Sequence, residues 1–571
     1  MMLTAFKKGV CRSLLILSIL VLPCQAADRN SPPASAVASA HPLATAAGIE
    51  ILKAGGNAFD AAIAVTAALA VVEPYSSGIG GGGFWLLHEA DSGRQVMIDG
   101  REKAPALAHR RMYQDEQGNV NRGSSINGPM SAGIPGVPAG IVHLAQRYAK
   151  LPLQQSLQAA ISYADKGFRV TERYQRLVSY RLEVLQQDPS AAAQFLQDDR
   201  IPEIGYLIVQ KDLAETLKNI AKHGNDGFYR GELAEKMVNG VREAGGIWSL
   251  KDLEGYRVVE RKPIVMEYRG VRIVSAPPPS SGGVVLGQAL AILEQFDIHS
   301  MNSFERKHYV IEAMRRAYRD RAVYLGDPDY FKVPVRRLLN KDYLDGLAMS
   351  INRYQATPSS ELGNTPGLQQ TGTDTTHFSA IDSDGNRVAA TLSVNLPFGS
   401  GFVAPGTGVL LNDEMDDFSI KAHTPNAYGL VGDEANAIEA GKRPLSSMTP
   451  TFMETEDRIG IIGTPGGSRI ISMVLLGLLD FVDGNKPESW VSVARYHHQY
   501  LTDQVQYEKG SLSVRDRLEL EKRGHALNEK NRRYGNMHAI LWDKKAKRVY
   551  AASDPRGEGQ AKVLPEPANA D

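Results

Sequence analysis

Cysteine is almost absent from this chain of 571 residues; the two that occur, Cys11 and Cys24, both fall within the first 26 positions. Those positions also carry Lys7, Lys8 and Arg12, an apolar run from Ser13 to Leu22, and Cys24-Gln25-Ala26 ending in a small-x-small pattern. That organisation is a cleaved secretory signal, and its apolar run is too short to span the ~30 Å hydrocarbon core of a bilayer. A mature chain starting near Ala27, periplasmic or secreted and without a membrane span, is therefore expected. It would contain no thiol, which excludes cysteine catalysis, disulfides and cysteine metal sites together.

An excess of one charge is lacking as well, with 64 basic and 64 acidic residues and no Lys/Arg tract. Nucleic acid is thus not an expected partner, and a small neutral or zwitterionic substrate is the default. No G-x-x-x-x-G-K-[ST] occurs. Gly78, Gly80 and Gly83 satisfy G-x-G-x-x-G, but after a helix and before a strand, the reverse of a dinucleotide site. The 13 histidines are scattered, and His497-His498 are adjacent rather than spaced i, i+4 like a helix-borne metal pair. Neither a metal nor a cofactor is expected.

Among the elements that are present, an Ala/Pro/Ser stretch from Ser31 to Ala40 reads as a linker. Two Ala-rich helices follow, broken at Gly55-Gly56-Asn57, and then a Gly loop feeding two strands around Asp91-Ser92-Gly93. From about Leu151 to Met349 the patterns are mainly helical, interrupted by strand-like runs at Val265 to Ala276 and by the Pro277 to Gly283 loop. Thr357 to Gln370 reads as an exposed loop. The last third is strand-rich as far as "RIGIIGTPGGSRI", where a helix follows, and closes on a polar tail.

The most informative segment is "TDTTHFSAIDSDGNRVAATLSVN", a hairpin turning at Asp384-Gly385. Thr375 stands at its head just after the loop, and Ser393 falls opposite it. A threonine hydroxyl is a poor nucleophile unless a base adjoins it. Its own α-amine serves if the chain is cut immediately before it, since such an amine titrates near ~7.7 to 8.0. Elsewhere, "IIGTPGGSRI" runs a strand into a turn whose free backbone N–H groups can face an oxyanion. Taken alone, that turn, Arg101 in "DGREKAP", and Ser446 and Ser447 in "KRPLSSMTP" also have ordinary structural readings.

Together with the hairpin, "AGIEILKAGGNAFDAAIA", "GVLLNDEMDDFS", "PNAYGLVGDEANAI", "KRPLSSMTPT" and "GTPGGSRI" closely resemble the gamma-glutamyltranspeptidases, or glutathione hydrolases, in order and over nearly all of the mature chain. The resemblance implies an α+β fold, the four-layer αββα sandwich of N-terminal-nucleophile hydrolases. It also implies a precursor that cuts itself between Asp374 and Thr375, so that a signal (1–26) precedes a large subunit (27–374) and a small one (375–571) that form one heterodimeric unit.

By the same resemblance Thr375 is the nucleophile, Ser393 its hydrogen-bonding hydroxyl, and Gly466 and Gly467 the oxyanion hole. Arg101 binds the glutamyl α-carboxylate, while Asn395, Glu414 and Asp417 hold its α-amino end. Ser446 and Ser447 add substrate contacts, and Tyr428 lies in a lid over the pocket. Some members carry Gln at the position of Glu414 and Thr at that of Ser393, changes that keep hydrogen bonding. The implied activity is transfer of a γ-glutamyl group from glutathione or related compounds to water, an amino acid or a dipeptide. The alternatives are an acylase for glutaryl or β-lactam side chains, whose relatives lack the lid, and a catalytically silent γ-glutamyl-binding protein.

Overall fold

The computed structural model describes residues 31–363, 375–422 and 424–565. The expected signal, Asp374 with the bond before Thr375, and residues 364–370 of the expected loop lie outside the described residues.

The sandwich strands, in chain order, are β1 (Ala34–Ser39), β2 (Gly82–His88), β3 (Gln95–Gly100), β4 (Val259–Arg261), β5 (Ile264–Tyr268), β6 (Val271–Ser275), β7 (Thr376–Ile381), β8 (Arg387–Ser393), β9 (Thr451–Glu454), β10 (Arg458–Gly463), β11 (His538–Asp543), β12 (Arg548–Ser553) and β13 (Gln560–Pro565). They form a seven-stranded sheet in the order β13-β1-β7-β8-β2-β3-β4 and a six-stranded sheet in the order β12-β11-β10-β9-β6-β5. Both are antiparallel throughout.

Side chains alternate across a strand, so a strand buried on both faces needs apolar residues at every position. Strand β2 meets that demand, with Phe84 and Leu86 between the sheets and Trp85 and Leu87 on the outer face. Val274, Phe452, Ile461 and Ile540 of the second sheet fill the same central layer. Helices α1 (Pro42–Lys53), α2 (Ala58–Val72) and α3 (Val137–Arg147) cover the first sheet, with α4 (Leu153–Lys166) backing onto α2; α5 (Glu172–Gln187) lies beyond. Helices α6 (Gly282–Glu294) and α8 (Ile470–Val482) cover the second sheet, with α7 (Ser303–Tyr324) backing onto α6. The layers are therefore helix, sheet, sheet, helix, the α+β arrangement expected.

Helix α2 starts at a capping box, in which Asn57 accepts from the amide of Asp60 while Asp60 accepts from that of Asn57, and all of its residues are buried. Alanine side chains let α1, α4 and the sheet close on it. Among the described residues no helix is long and apolar enough to cross a membrane.

Two expectations need correction. The Ser31 to Ala40 stretch is not a linker, because Ala34–Ser39 is a buried strand between β13 and β7. Small residues that suit a linker also suit a strand squeezed between a helix layer and a second sheet. The tail is not merely polar either, since β11, β12 and β13 complete both sheets. In the described start of the 357–370 loop, Pro358, Ser360 and Glu361 are exposed, while Ser359 is buried and its hydroxyl donates to the Tyr500 carbonyl at 2.7 Å.

Both sheets interleave strands from either side of Thr375. In the first, β13, β7 and β8 lie among β1, β2, β3 and β4; in the second, β9 pairs with β6. A chain break before Thr375 would leave neither half with a complete sheet.

Candidate active site

Thr375 immediately precedes β7, and Ser393 ends β8. The register pairs Leu392 with Thr376, which brings the two hydroxyls to 3.3 Å. Of the adjacent threonines, Thr376 turns away to donate to Glu73 Oε2 at 2.8 Å, whereas Thr375 borders a cavity. Ser393 Oγ accepts the Asn395 amide at 2.8 Å. Asn395 sits at φ +77°, unusual for a residue with a side chain. It is held there by its Nδ2 donating to the Asp413 carbonyl at 3.0 Å and by Tyr428 Oη donating to its own carbonyl at 2.7 Å.

The turn after β10 brings Gly466 (φ +144°) and Gly467 (φ +56°) to this end. A Cβ on Gly467 would come within 2.3 Å of the Tyr428 ring, so glycine serves there both for the backbone and for close approach. Gly467 lines the same cavity as Thr375, while Gly466 lines the neighbouring one.

Arg101, one residue beyond β3, is fully buried and lines the same cavity. Its Nη1 lies 3.3 Å from Glu102 and 2.6 Å from Glu414, its Nη2 lies 2.6 Å from Asp417, and its Nε donates to the Pro444 carbonyl at 3.1 Å. One cation thus faces three carboxylates. Burial pushes Glu102 up to about 7 and Glu414 well above the usual carboxylate range, with Arg101 opposing both shifts. For Arg101, burial acts to lower the pKa, but Glu414, Glu102 and Asp417 outweigh it and hold the charge. Glu414 Oε2, although close to Nη1, has no aligned hydrogen-bond donor among the described residues.

Glu414–Asp417 forms one 3₁₀ turn, and the segment after it folds back over the cavity. Asp416 accepts the Ala427 amide at 2.7 Å, and Asp417 accepts from Asn426 Nδ2 at 2.9 Å, which together set Tyr428 over Gly467. Ser446 and Ser447 form a third wall. Ser446 Oγ accepts the Met448 amide at 3.0 Å, and its backbone is pinned by Pro279 and Ser281 of the Pro277 to Gly283 loop. With these contacts and the ion pairs in place, about 20 Å³ of open space remains.

The structure therefore brings Arg101, Thr375, Ser393, Asn395, Glu414, Asp417, Tyr428, Ser446, Ser447 and Gly467 around one cavity, with Gly466 at its edge. Sequence reasoning missed two participants. Glu102 is adjacent to Arg101 in "DGREKAP", and an uninterrupted charge pair directly after a buried strand was the available signal. Arg321, on α7, is buried and donates from Nε to Ser281 Oγ at 3.0 Å and from Nη2 to Ser447 Oγ at 3.2 Å. Nothing in its charged surroundings in the sequence sets it apart. His497 and His498 are buried beside Ser472 and Gln499, and beside Asp503, respectively.

The family model for gamma-glutamyltranspeptidase matches residues 44–564. The chain belongs to this family. A glutathione hydrolase proenzyme from Pseudomonas sp. (strain A14) is 44% identical over 84% of this chain and 84% of that protein. The glutathione hydrolase proenzyme of Escherichia coli (strain K12) is 41% identical over 91% of this chain and 90% of its own. Among solved structures, cephalosporin acylase from Bacillus halodurans superposes with a TM-score of 0.80 at 29% identity, covering 93% of this chain and 96% of that one. As a gamma-glutamyltranspeptidase family member, the protein is an enzyme, and its αββα sandwich is the family's fold.

Proposed function

We propose that this enzyme takes the γ-glutamyl group of glutathione or a related γ-glutamyl compound and transfers it to water, an amino acid or a dipeptide, after cutting itself between Asp374 and Thr375. The observation that carries the reading is the cavity itself, which the Thr375–Ser393 hydroxyl pair and the Arg101, Glu414 and Asp417 cluster line together. That cluster is an internal ion pair into which an α-amino acid zwitterion can exchange. The substrate carboxylate takes the guanidinium fork of Arg101 and is joined by Ser446 and Ser447, and its ammonium takes Glu414, Asp417 and Asn395. The side chain then extends toward Thr375.

In the precursor, Thr375 Oγ attacks the Asp374 carbonyl; collapse breaks the C–N bond, which frees the Thr375 amine and leaves Asp374 as an ester on Oγ, and water then hydrolyses that ester to the Asp374 carboxylate and the free hydroxyl. In the mature enzyme that amine takes the proton as Oγ attacks the γ-carbonyl, and the amides of Gly466 and Gly467 stabilise the oxyanion. Collapse breaks the C–N bond, and the proton passes to the leaving amine. The γ-glutamyl ester on Thr375 is then resolved by water or an acceptor amine. Subunits 27–374 and 375–571 stay together because their strands share both sheets. Residues 1–26 support export to the periplasm or medium.

A glutaryl acylase is the rival reading. A glutaryl group lacks the ammonium, which would leave Glu414 and Asp417 without a ligand cation, and Tyr428 closes the pocket over this end. The test is turnover of γ-glutamyl- against glutaryl-p-nitroanilide by wild type and Thr375→Ala, with both preparations run on a denaturing gel. The wild type should be two chains, the smaller beginning at Thr375, and should prefer the γ-glutamyl compound; Thr375→Ala should stay whole and be inactive. A processed, active Thr375→Ala would overturn the assignment.

A further inference from the structure

Thr375 and Thr376 are identical neighbours, yet only one of them borders the cavity. Successive side chains of a strand point to opposite faces, so a shift of one residue would exchange the two. Along the body of β7 packing makes the choice: Phe378 and Ala380 face the helices over the first sheet, whereas Ile381 faces the second sheet. At the head both residues are threonines, and packing preference does not distinguish them. The β7–β8 ladder ends with Leu392 opposite Thr376, and Thr375 lies one residue beyond it. Once the chain is cut before it, Thr375 is a chain end, and chain ends are poorly ordered unless tied down.

Glu73 supplies a tie. It directly follows α2, is buried, and its Oε2 accepts the Thr376 hydroxyl at 2.8 Å. A carboxylate at this point is unfavourable on two counts, being out of water and at the negative end of the α2 dipole. Helix α2 does not require it, since the cap is made by the Glu73 backbone N–H, which donates to the Leu69 carbonyl at 2.9 Å and which most residues would provide. A side chain that local physics disfavours is expected to serve function.

The next residues reach the other strand of the hairpin. The Glu73 carbonyl accepts the Ser76 and Ser77 amides at 2.8 and 3.0 Å, which turns the chain into the Gly78 to Gly83 run. There a Cβ on Gly81 would lie 2.1 Å from the Ser393 carbonyl oxygen, and Gly82 is paired opposite Ser393. The glycines that match a dinucleotide pattern in the wrong order are thus needed for close approach to β8. Residues 73–82 grip both ends of the hairpin, Glu73 at the threonine strand and the glycines at the serine strand.

We propose that Glu73 is a positioning residue for the nucleophile: its carboxylate holds Thr376 on the helix side of β7, and so keeps Thr375 Oγ facing Ser393 once the chain end is freed. The inference rests on the reading of Thr375 given above.

The test compares Thr376→Val, which keeps the shape but loses the donor, and Glu73→Leu, which loses the acceptor, with Thr376→Ser and Glu73→Gln, which retain them. Turnover of γ-glutamyl-p-nitroanilide is measured on the full protein and expressed per processed site, the processed fraction being read from a denaturing gel. For Thr376→Val and Glu73→Leu kcat should fall ~10-fold, the scale of one hydrogen bond to a charged group, with KM little changed. Thr376→Ser and Glu73→Gln should keep most of kcat. The Glu73→Leu/Thr376→Val double variant should lose no more than the worse single one, as two partners of one bond do. If Glu73→Leu does not fold, Thr376→Val and its comparison with Thr376→Ser decide the matter. Unchanged kcat in Thr376→Val, or losses that multiply in the double variant, would overturn the proposal. An active Thr375→Ala, or a wild type inert toward the anilide, would instead overturn the reading of Thr375 on which it rests.

Discussion

The glutamyl cavity has two ends of opposite character. Around Thr375 the groups are uncharged: two hydroxyls 3.3 Å apart, a strained asparagine and a glycine turn. Around Arg101 one guanidinium meets three carboxylates within 3.3 Å. On the proposed function, activation of Thr375 falls to the amine that chain cleavage releases. On the same proposal the ionic end recognises and orients, its charges being paired with one another. Chemistry and recognition are thus divided between the ends, and the divided roles should fail differently.

The largest effect is expected at the neutral end. Thr375→Ala should lower kcat by on the order of 10⁴ or more, as for loss of a nucleophile. Thr375→Ser, which retains a hydroxyl, should still self-cleave and keep measurable turnover; gel analysis combined with anilide hydrolysis checks both. At the ionic end, Arg101→Lys keeps the charge but loses the fork. It should weaken γ-glutamyl substrates by ~10² in kcat/KM, equivalent to about 2.7 kcal/mol, without impairing self-cleavage, which involves no free substrate. If Arg101→Lys blocked self-cleavage as thoroughly as Thr375→Ala, the division of roles would be wrong.

The two ends also differed in how far the sequence revealed them. The neutral end is local: Thr375 and Ser393 are joined by one hairpin whose Asp384-Gly385 turn and apolar run set the register. Gly466 and Gly467 follow a plainly apolar strand. The ionic end gathers Arg101, Glu414 and Ser446 from three distant stretches, and only the family resemblance linked them; local patterning carries no such information. The sandwich likewise came only with the family resemblance; the Ala-rich helices and several strand runs were legible locally, but β1 was mistaken for a linker because its residues are small. Helix α7 holds the remaining gap. Nothing in the sequence marks its Glu312, Arg315, Arg316 and Arg321 as buried, yet all four are, and Glu312 pairs with Arg315 at 3.1 Å and Arg316 at 2.6 Å.

Burial of its carboxylates gives the ionic end a pH signature of its own, read in stability. Glu102 has its folded-state pKa raised to about 7, against 4.5 ordinarily, so the folded protein binds a proton more readily than the unfolded chain. Its contribution to stability is fully present below about pH 4.5 and is lost as pH rises through about 7. Glu102→Gln cannot release that proton. The melting temperature of wild type relative to Glu102→Gln should therefore decline across this window, by an amount corresponding to ~1 to 3 kcal/mol. Parallel melting curves for the two proteins between these pH values would remove the proton from the cluster.

The smallest effect, and the sharpest refinement of the contrast, concerns the two buried arginines of the pocket walls. Arg101 is surrounded by carboxylates, whereas among the described residues Arg321 hydrogen-bonds only serine hydroxyls, and burial pulls its pKa down to about 10. A buried cation held by neutral groups costs folding free energy, and an apolar residue of similar length can relieve that cost. Removing Arg101 instead strands three carboxylates. Arg321→Met should therefore leave the melting temperature equal or higher, while Arg101→Met lowers it. Ser447 Oγ accepts from Arg321, so its own proton is directed elsewhere, toward the cavity it lines. Without Arg321 that hydroxyl is free to rotate, and KM for γ-glutamyl-p-nitroanilide should rise ~3- to 10-fold with kcat little changed, the scale of one charge-assisted hydrogen bond. Arg321→Lys, which can still donate to Ser447, should restore part of the loss. An Arg321→Met enzyme with lowered stability and unaltered KM would mean that Arg321 supports the fold and not the orientation of Ser447.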